Sequence, residues 1–257
     1  MACLAALPGM ASASAWNPGP WQGEIISSYV YNDADRFTDR DGETQPLPLY
    51  SKHISQTYAT LGLTDKVALI GTLDFQDTRI GRPGFDLSYS GVSTLTAGLQ
   101  YQLTRRDGHA TAVSVSYIDA VELPPQLLTL DGREPNVEVR GSWGESRTFR
   151  GRNVFGEVQL AGRYRTAGEF GGVQSQLTVG GDPTSRTLVL AKLRYTMIAA
   201  GEYEGFDLSR QTSWQSEISG VYRWRERDWI ELGYVATLAG ENALLETGWK
   251  IGFWRKF

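Results

Sequence analysis

The chain is poor in the residues that staple or arm most secreted domains. Cys3 is the one cysteine among 257 residues, so no disulfide can form within the chain. His53 and His109 are the only histidines, and no Cys/His cluster has the spacing of a metal site. No glycine-rich phosphate loop precedes a helical pattern, and no helical period is sustained. No cofactor and no metal is therefore expected. Nowhere do 18 apolar residues run together, which excludes a membrane-spanning helix. Mean hydropathy is -0.31, yet neither fact excludes strands, which give lipid only every second residue. The net charge of -4 lacks the clustered Lys and Arg that phosphate backbones require, so no nucleic acid is expected as a partner.

What is plentiful is glycine, 29 residues, and aromatic side chains, 11%. The end of the chain shows how they are used. Trp249, Ile251, Phe253, Arg255 and Phe257 alternate with Gly248, Lys250, Gly252, Trp254 and Lys256. One face is mostly large and apolar; the other mixes glycine with lysine. That is the pattern of a strand dividing lipid from a wet interior. A terminal aromatic residue on such a strand resembles the C-terminal signal of bacterial outer-membrane β-barrels, with Trp249, Ile251, Gly252, Phe253 and Phe257 as the assembly signal. The usual pattern favours an aromatic residue where Arg255 stands. The resemblance implies the bacterial outer membrane as location. It implies outer-membrane lipids, lipopolysaccharide and the barrel assembly machinery as partners.

The other end reads as a secretory signal over residues 1–15. A small apolar core runs from Cys3 to Met10, followed by the small-residue exit Ala13-Ser14-Ala15. No basic residue precedes the core. The domain organisation expected is thus a signal peptide, 1–15, and one barrel, 16–257.

Between the ends, about twelve segments alternate in polarity at the length a tilted membrane strand needs. They are residues 21–31, 50–61, 67–76, 94–103, 110–117, 136–143, 154–165, 173–179, 186–197, 211–223, 229–238 and the tail. The second is the least regular. Links alternate too: 62–66, 104–109, 180–185 and 224–228 are short, whereas 32–48, 77–90, 118–135 and 200–210 are long. Short periplasmic turns and long outer loops are typical of such barrels. Residues 166–172 and 239–242 are short where a loop belongs. The fold expected is all-β, an antiparallel up-and-down transmembrane barrel of about twelve strands. Two aromatic belts are expected. Trp21, Tyr58, Tyr101, Trp143, Phe155, Tyr222, Trp229 and Phe257 fall at the periplasmic ends of strands. Tyr31, Tyr50, Phe75, Tyr117, Tyr164, Tyr195, Trp214 and Tyr234 fall at the other ends.

Charges are costly against lipid, so the expected lumen lining takes them. It comprises the acids Asp74, Glu138, Glu157, Glu217, Glu231 and Glu246, and the bases Arg140, Arg163, Arg165, Lys192, Arg194, Arg223 and Lys250. Two readings follow. The charges line a narrow path for small polar solutes, anionic ones included, or serve envelope export; alternatively they pair across a plugged, structural or surface-interaction barrel. Lys192 and Arg194 with Arg163 and Arg165 form a candidate basic stripe. The solute is not legible.

His53-Ile54-Ser55 invites one other reading. A histidine and a serine two apart on a strand share a face, so the imidazole could activate the hydroxyl. The arrangement resembles that of outer-membrane phospholipase A and lipid A deacylase, which implies a lipid hydrolase using His53 and Ser55. No acid stands at an evident position to orient His53. Asp33 to Glu43 packs five acids into eleven residues, and Asp39-x-Asp41-Gly42 matches part of a calcium loop. Arg36 and Arg40 offset that charge, and a solvated loop is the expectation.

Overall fold

Strict alternation of apolar and polar side chains lets a strand satisfy lipid and water at once, but only if its backbone pairs on both sides. The computed structural model describes residues 15–82, 85–120, 135–166, 169–203, 206–208 and 210–257, and in it that pairing is complete. Nine long strands come first: β1 (Gly23–Thr38), β2 (Thr44–Gly62), β3 (Val67–Arg82), β4 (Phe85–Arg106), β5 (His109–Ala120), β6 (Asn136–Phe149), β7 (Arg152–Arg165), β8 (Phe170–Gly181) and β9 (Thr187–Ile198). A small hairpin, β10 (Gly201–Tyr203) and β11 (Phe206–Leu208), precedes β12 (Gln211–Arg223) and β13 (Asp228–Glu241). The two-residue β14 (Ala243–Leu244) leads into β15 (Thr247–Lys256). The long strands pair antiparallel in chain order, and β1 pairs with both β2 and β15, which closes a barrel of twelve. Closure leaves no long edge to aggregate.

Two-residue turns set the register at one end. Arg150 and Gly151 both take positive φ, 49° and 74°, between β6 and β7, the requirement of a hairpin whose twist matches its strands. The opposite end departs from the expected loops. The sequence suggested links at 32–48 and 77–90, yet β1 runs to Thr38, β2 begins at Thr44, β3 runs to Arg82 and β4 begins at Phe85. Lipid no longer enforces alternation there, so these strands continue without its sequence signature. At ~3.3 Å per residue and ~40° tilt, a strand the length of β4 rises roughly 55 Å, about twice the apolar band. The barrel wall therefore stands well above the bilayer.

The outward face matches the tail's pattern. Trp249 is 70% exposed, with Ile251, Phe253, Leu232, Leu160 and Leu99 also outward, while Gly252 and Trp254 are buried inside. Exposed apolar rows of this extent have one fitting solvent, the hydrocarbon of a bilayer. Of the expected outer aromatic belt, Tyr31, Phe75, Tyr117, Tyr164, Trp214 and Tyr234 do face out. Tyr195 packs on Trp214 at 4.8 Å and Tyr234 on Trp249 at 5.0 Å between ring centroids. Tyr50 corrects the pattern, since it is buried inside. Three of the expected periplasmic rings do likewise: Tyr58, Phe155 and Trp229 face the lumen, not lipid. Aromatic side chains suit either face of a strand, so their presence alone does not report which way they point.

Candidate functional site: the lumen

Each strand changes character on its inner face as it leaves the periplasmic turns. On β9 the inward sequence is Leu188, Leu190, Lys192, Arg194; on β7 it is Phe155, Glu157, Gln159. These repeats stack into layers. The lowest is apolar, with Ile26, Tyr58, Phe155, Leu188, Leu190, Val221, Trp229 and Trp254 packed together.

Trp16 completes that layer. Residues 15–17 do not join the ladder but enter the barrel's periplasmic end. Asn17 donates its backbone N–H to Gln102 Oε1 (2.7 Å) and its side-chain amide to the Lys66 carbonyl (2.8 Å). It accepts from Gln100 Nε2 at 2.6 Å. The Ala15 carbonyl accepts from Gln102 Nε2 (2.6 Å), and the Ala15 N–H donates to Glu157 Oε2 (3.2 Å). Gly144 makes room: a Cβ at that position would overlap the Trp16 ring. The segment Ala15-Trp16-Asn17 has no periodicity, and the sequence reading missed it as a lumen element. The expected signal peptide falls on residues that, Ala15 apart, lie outside the described ones.

Above the apolar layer stands a chain of charges. Glu231 is fully buried; its Oε2 accepts from Trp254 Nε1 at 3.0 Å and its Oε1 from Lys250 Nζ at 3.1 Å. Lys250 also donates to Glu217 (3.0 Å), which Lys192 reaches at 2.9 Å. Across the lumen, Glu138 binds Arg140 (2.8 Å) and Arg163 (2.9 Å). Toward the outside, Glu246 accepts from Tyr50 (2.7 Å), Lys52 (2.8 Å) and Asn32 (3.2 Å). Glu24 lies across the ladder from Lys256.

The expected basic stripe does not form. Lys192 is spent on Glu217, and Arg165 sits near the outer rim with Glu169 (3.3 Å) and the Ala199 carbonyl (3.3 Å). Arg223 lies at the opposite rim and donates to the Ser185 carbonyl at 2.7 Å. In the β8–β9 turn beside it, partial burial pushes the Asp182 carboxyl up, against the pull of Arg223 and Lys256. What remains together is a cavity of about 420 Å³ inside the barrel. Asp74, Glu138, Arg140, Arg163 and Arg194 line it with Lys52 and a set of amides and hydroxyls. Arg140 reaches Gln159 and Gln174, both at 2.7 Å, and Asp74 accepts from Gln56 at 2.9 Å.

His53 and Ser55 lie elsewhere. Their ladder partners on β1 are Tyr31 and Tyr29, which face out, so both point away from the lumen. The His53 Nδ1 is engaged by the Tyr29 hydroxyl, and the Tyr31 ring packs on the imidazole at 4.9 Å. The register supplies the acid that sequence alone did not, placing Asp77 of β3 opposite His53. Yet Asp77 leans to Arg79 at 3.8 Å, and neither Ser55 nor Asp77 hydrogen-bonds to His53. No relay is assembled. The outer polar loop is likewise a turn: Asp39 Oδ1 accepts the backbone N–H of Asp41 (3.0 Å) and Glu43 (2.9 Å), and its Oδ2 accepts from Gln45. Among the described residues no three potential ligands gather to hold a metal.

A closed twelve-strand antiparallel barrel with an apolar outer band and a charged interior has the fold of bacterial outer-membrane β-barrels. Solved structures place it there by fold. An outer-membrane channel from Pseudomonas putida F1 superposes with a TM-score of 0.74 at 12% identity, covering 97% of this chain and 100% of that one. The KdgM porin, solved with disordered oligogalacturonate, gives 0.53 at 8% identity over 90% and 99% of the two chains. The translocator domain of the autotransporter NalP from Neisseria meningitidis gives 0.53 at 7% identity over 93% and 90%. No protein-family model matches the chain, and no curated sequence matches it.

Proposed function

We propose that the protein is a narrow outer-membrane channel for small polar solutes, held closed at its periplasmic end by Trp16 and Asn17. The cavity of about 420 Å³ carries this reading. Charged, amide and hydroxyl groups line it within a barrel whose wall would otherwise need none. Buried charge is expensive, and an apolar filling would stabilise a purely structural barrel at least as well. A hydrated path is a reason to keep it. The closing layer differs from the wall in one respect. Trp16 is brought in by a segment held through side-chain hydrogen bonds, with no ladder of its own. Such a segment can leave without unzipping a strand. The channel fold of the structural relatives agrees with this function, while the solute remains this chain's own matter.

Conductance in planar bilayers is the test. The wild type is expected to open rarely, and Trp16→Ala to open often and pass uncharged sugars into liposomes. A barrel that stays silent in both forms, while folded by heat-modifiable mobility, overturns the reading in favour of a plugged structural barrel.

A further inference from the structure

Arg194 is the odd cation of the lumen. Its Nε and Nη2 donate to the same Gln176 oxygen, at 3.2 and 3.1 Å, and among the described residues it forms no ion pair, the charges of Glu217 and Asp74 reaching it only from beyond contact distance. Lys192 and Lys250 share Glu217, Lys52 has Glu246, and Arg140 and Arg163 share Glu138. Among the described residues the Nη1 of Arg194 has no acceptor, on a side chain that lines the cavity. The cavity's two carboxylates are Asp74, held by Gln56, and Glu138, which already answers two guanidinium groups. With Lys52 neutralised by Glu246, the three arginines exceed the two acids by one positive charge. A guanidinium inside a protein is stable there only with anionic or strongly polar partners.

We propose that the Arg194 guanidinium binds a small organic monoanion, taking its carboxylate through Nη1 and Nη2. This deepens the channel reading and rests on it for transport, though not for binding. One negative charge brings the cavity to neutrality; a dianion would overshoot, and a cation would add to the excess. The remaining lining fits the rest of such a molecule. Thr72, Ser93, Thr94, Thr96, Ser114 and Ser116 present hydroxyls toward the cavity, which suits a solute bearing hydroxyl groups of its own. The volume lies within the roughly 300–1,000 Å³ of small-molecule sites. Asp74 acts as a counterweight, keeping the site from holding its anion too tightly for release.

Titration calorimetry on the detergent-solubilised barrel tests this with gluconate as the probe, and sorbitol and glucosamine as the uncharged and cationic controls. Gluconate is expected to bind saturably and the controls not. Arg194→Gln should weaken gluconate binding by roughly 10- to 100-fold, the worth of a hydrogen-bonded charge. Asp74→Asn should tighten it, which no unfolded variant can imitate. Equal binding of gluconate and sorbitol, or unchanged affinity in Arg194→Gln, overturns the proposal. Sorbitol entry into liposomes through Trp16→Ala is read separately. Entry without gluconate binding leaves the channel and removes the anion site; binding without any entry does the reverse.

Discussion

Leu190 and Arg194 point into the same lumen from the same strand, about 13 Å apart along it, yet they belong to layers closed by different physics. The lower layer excludes water by packing: Trp16, Trp229, Trp254 and their neighbours gain by touching one another and need no particular partner. The upper layer is closed by pairing, in which Glu231, Lys250, Glu217 and Lys192 each depend on named atoms. Removing a ring from the first leaves a hole. Removing a charge from the second leaves another charge unanswered. A gate is therefore easier to build below, and a selectivity site above.

The largest effect expected is on the apolar layer. Gly144→Val drives a side chain into the space of the Trp16 ring, so it should open the periplasmic end as Trp16→Ala does, from rare events to sustained conductance. If Gly144→Val stays closed while Trp16→Ala opens, the ring's position does not control the gate. Next, Glu231→Ala should lower barrel stability by about 3 kcal/mol, the cost of stranding part of a buried ion pair; the midpoint of heat-modifiable mobility in detergent reads it. Trp254→Phe keeps the packing and removes only the donor to Glu231, so about 1–2 kcal/mol is expected. A larger loss in Trp254→Phe than in Glu231→Ala would erase the distinction between the layers. The smallest effect is none: His53→Ala and Ser55→Ala should leave lipid hydrolysis in reconstituted vesicles at background, since His53 is engaged by Tyr29 on the outer wall.

These layers were unequally visible in the chain. Lys250 and Glu231 could be assigned inward because lipid forbids them the other side, and the alternation around Leu95 and Leu99 carried the same message. Nothing comparable marks Trp229 or Tyr58, since a ring is welcome on either face. Residues 15–17 leave the period-two pattern altogether, so no rule of strands applied to them. The solitude of Arg194 lay further out of reach. Whether a charge finds a partner depends on how neighbouring strands are staggered, and stagger is written in turns and bulges such as those at Trp214 and Asp74. The same holds for Asp77, which only the register brings opposite His53.

The strands β1 and β2 continue their ladder past the bilayer to a tight tip, where Gly42 has φ of 80° and open space around it. That tip is a mast fixed to the wall. A short epitope inserted beside Gly42 would stand clear of the cell surface at a known height and leave the barrel's hydrogen bonds whole. Antibody binding to intact cells would then report orientation without any need to break the membrane.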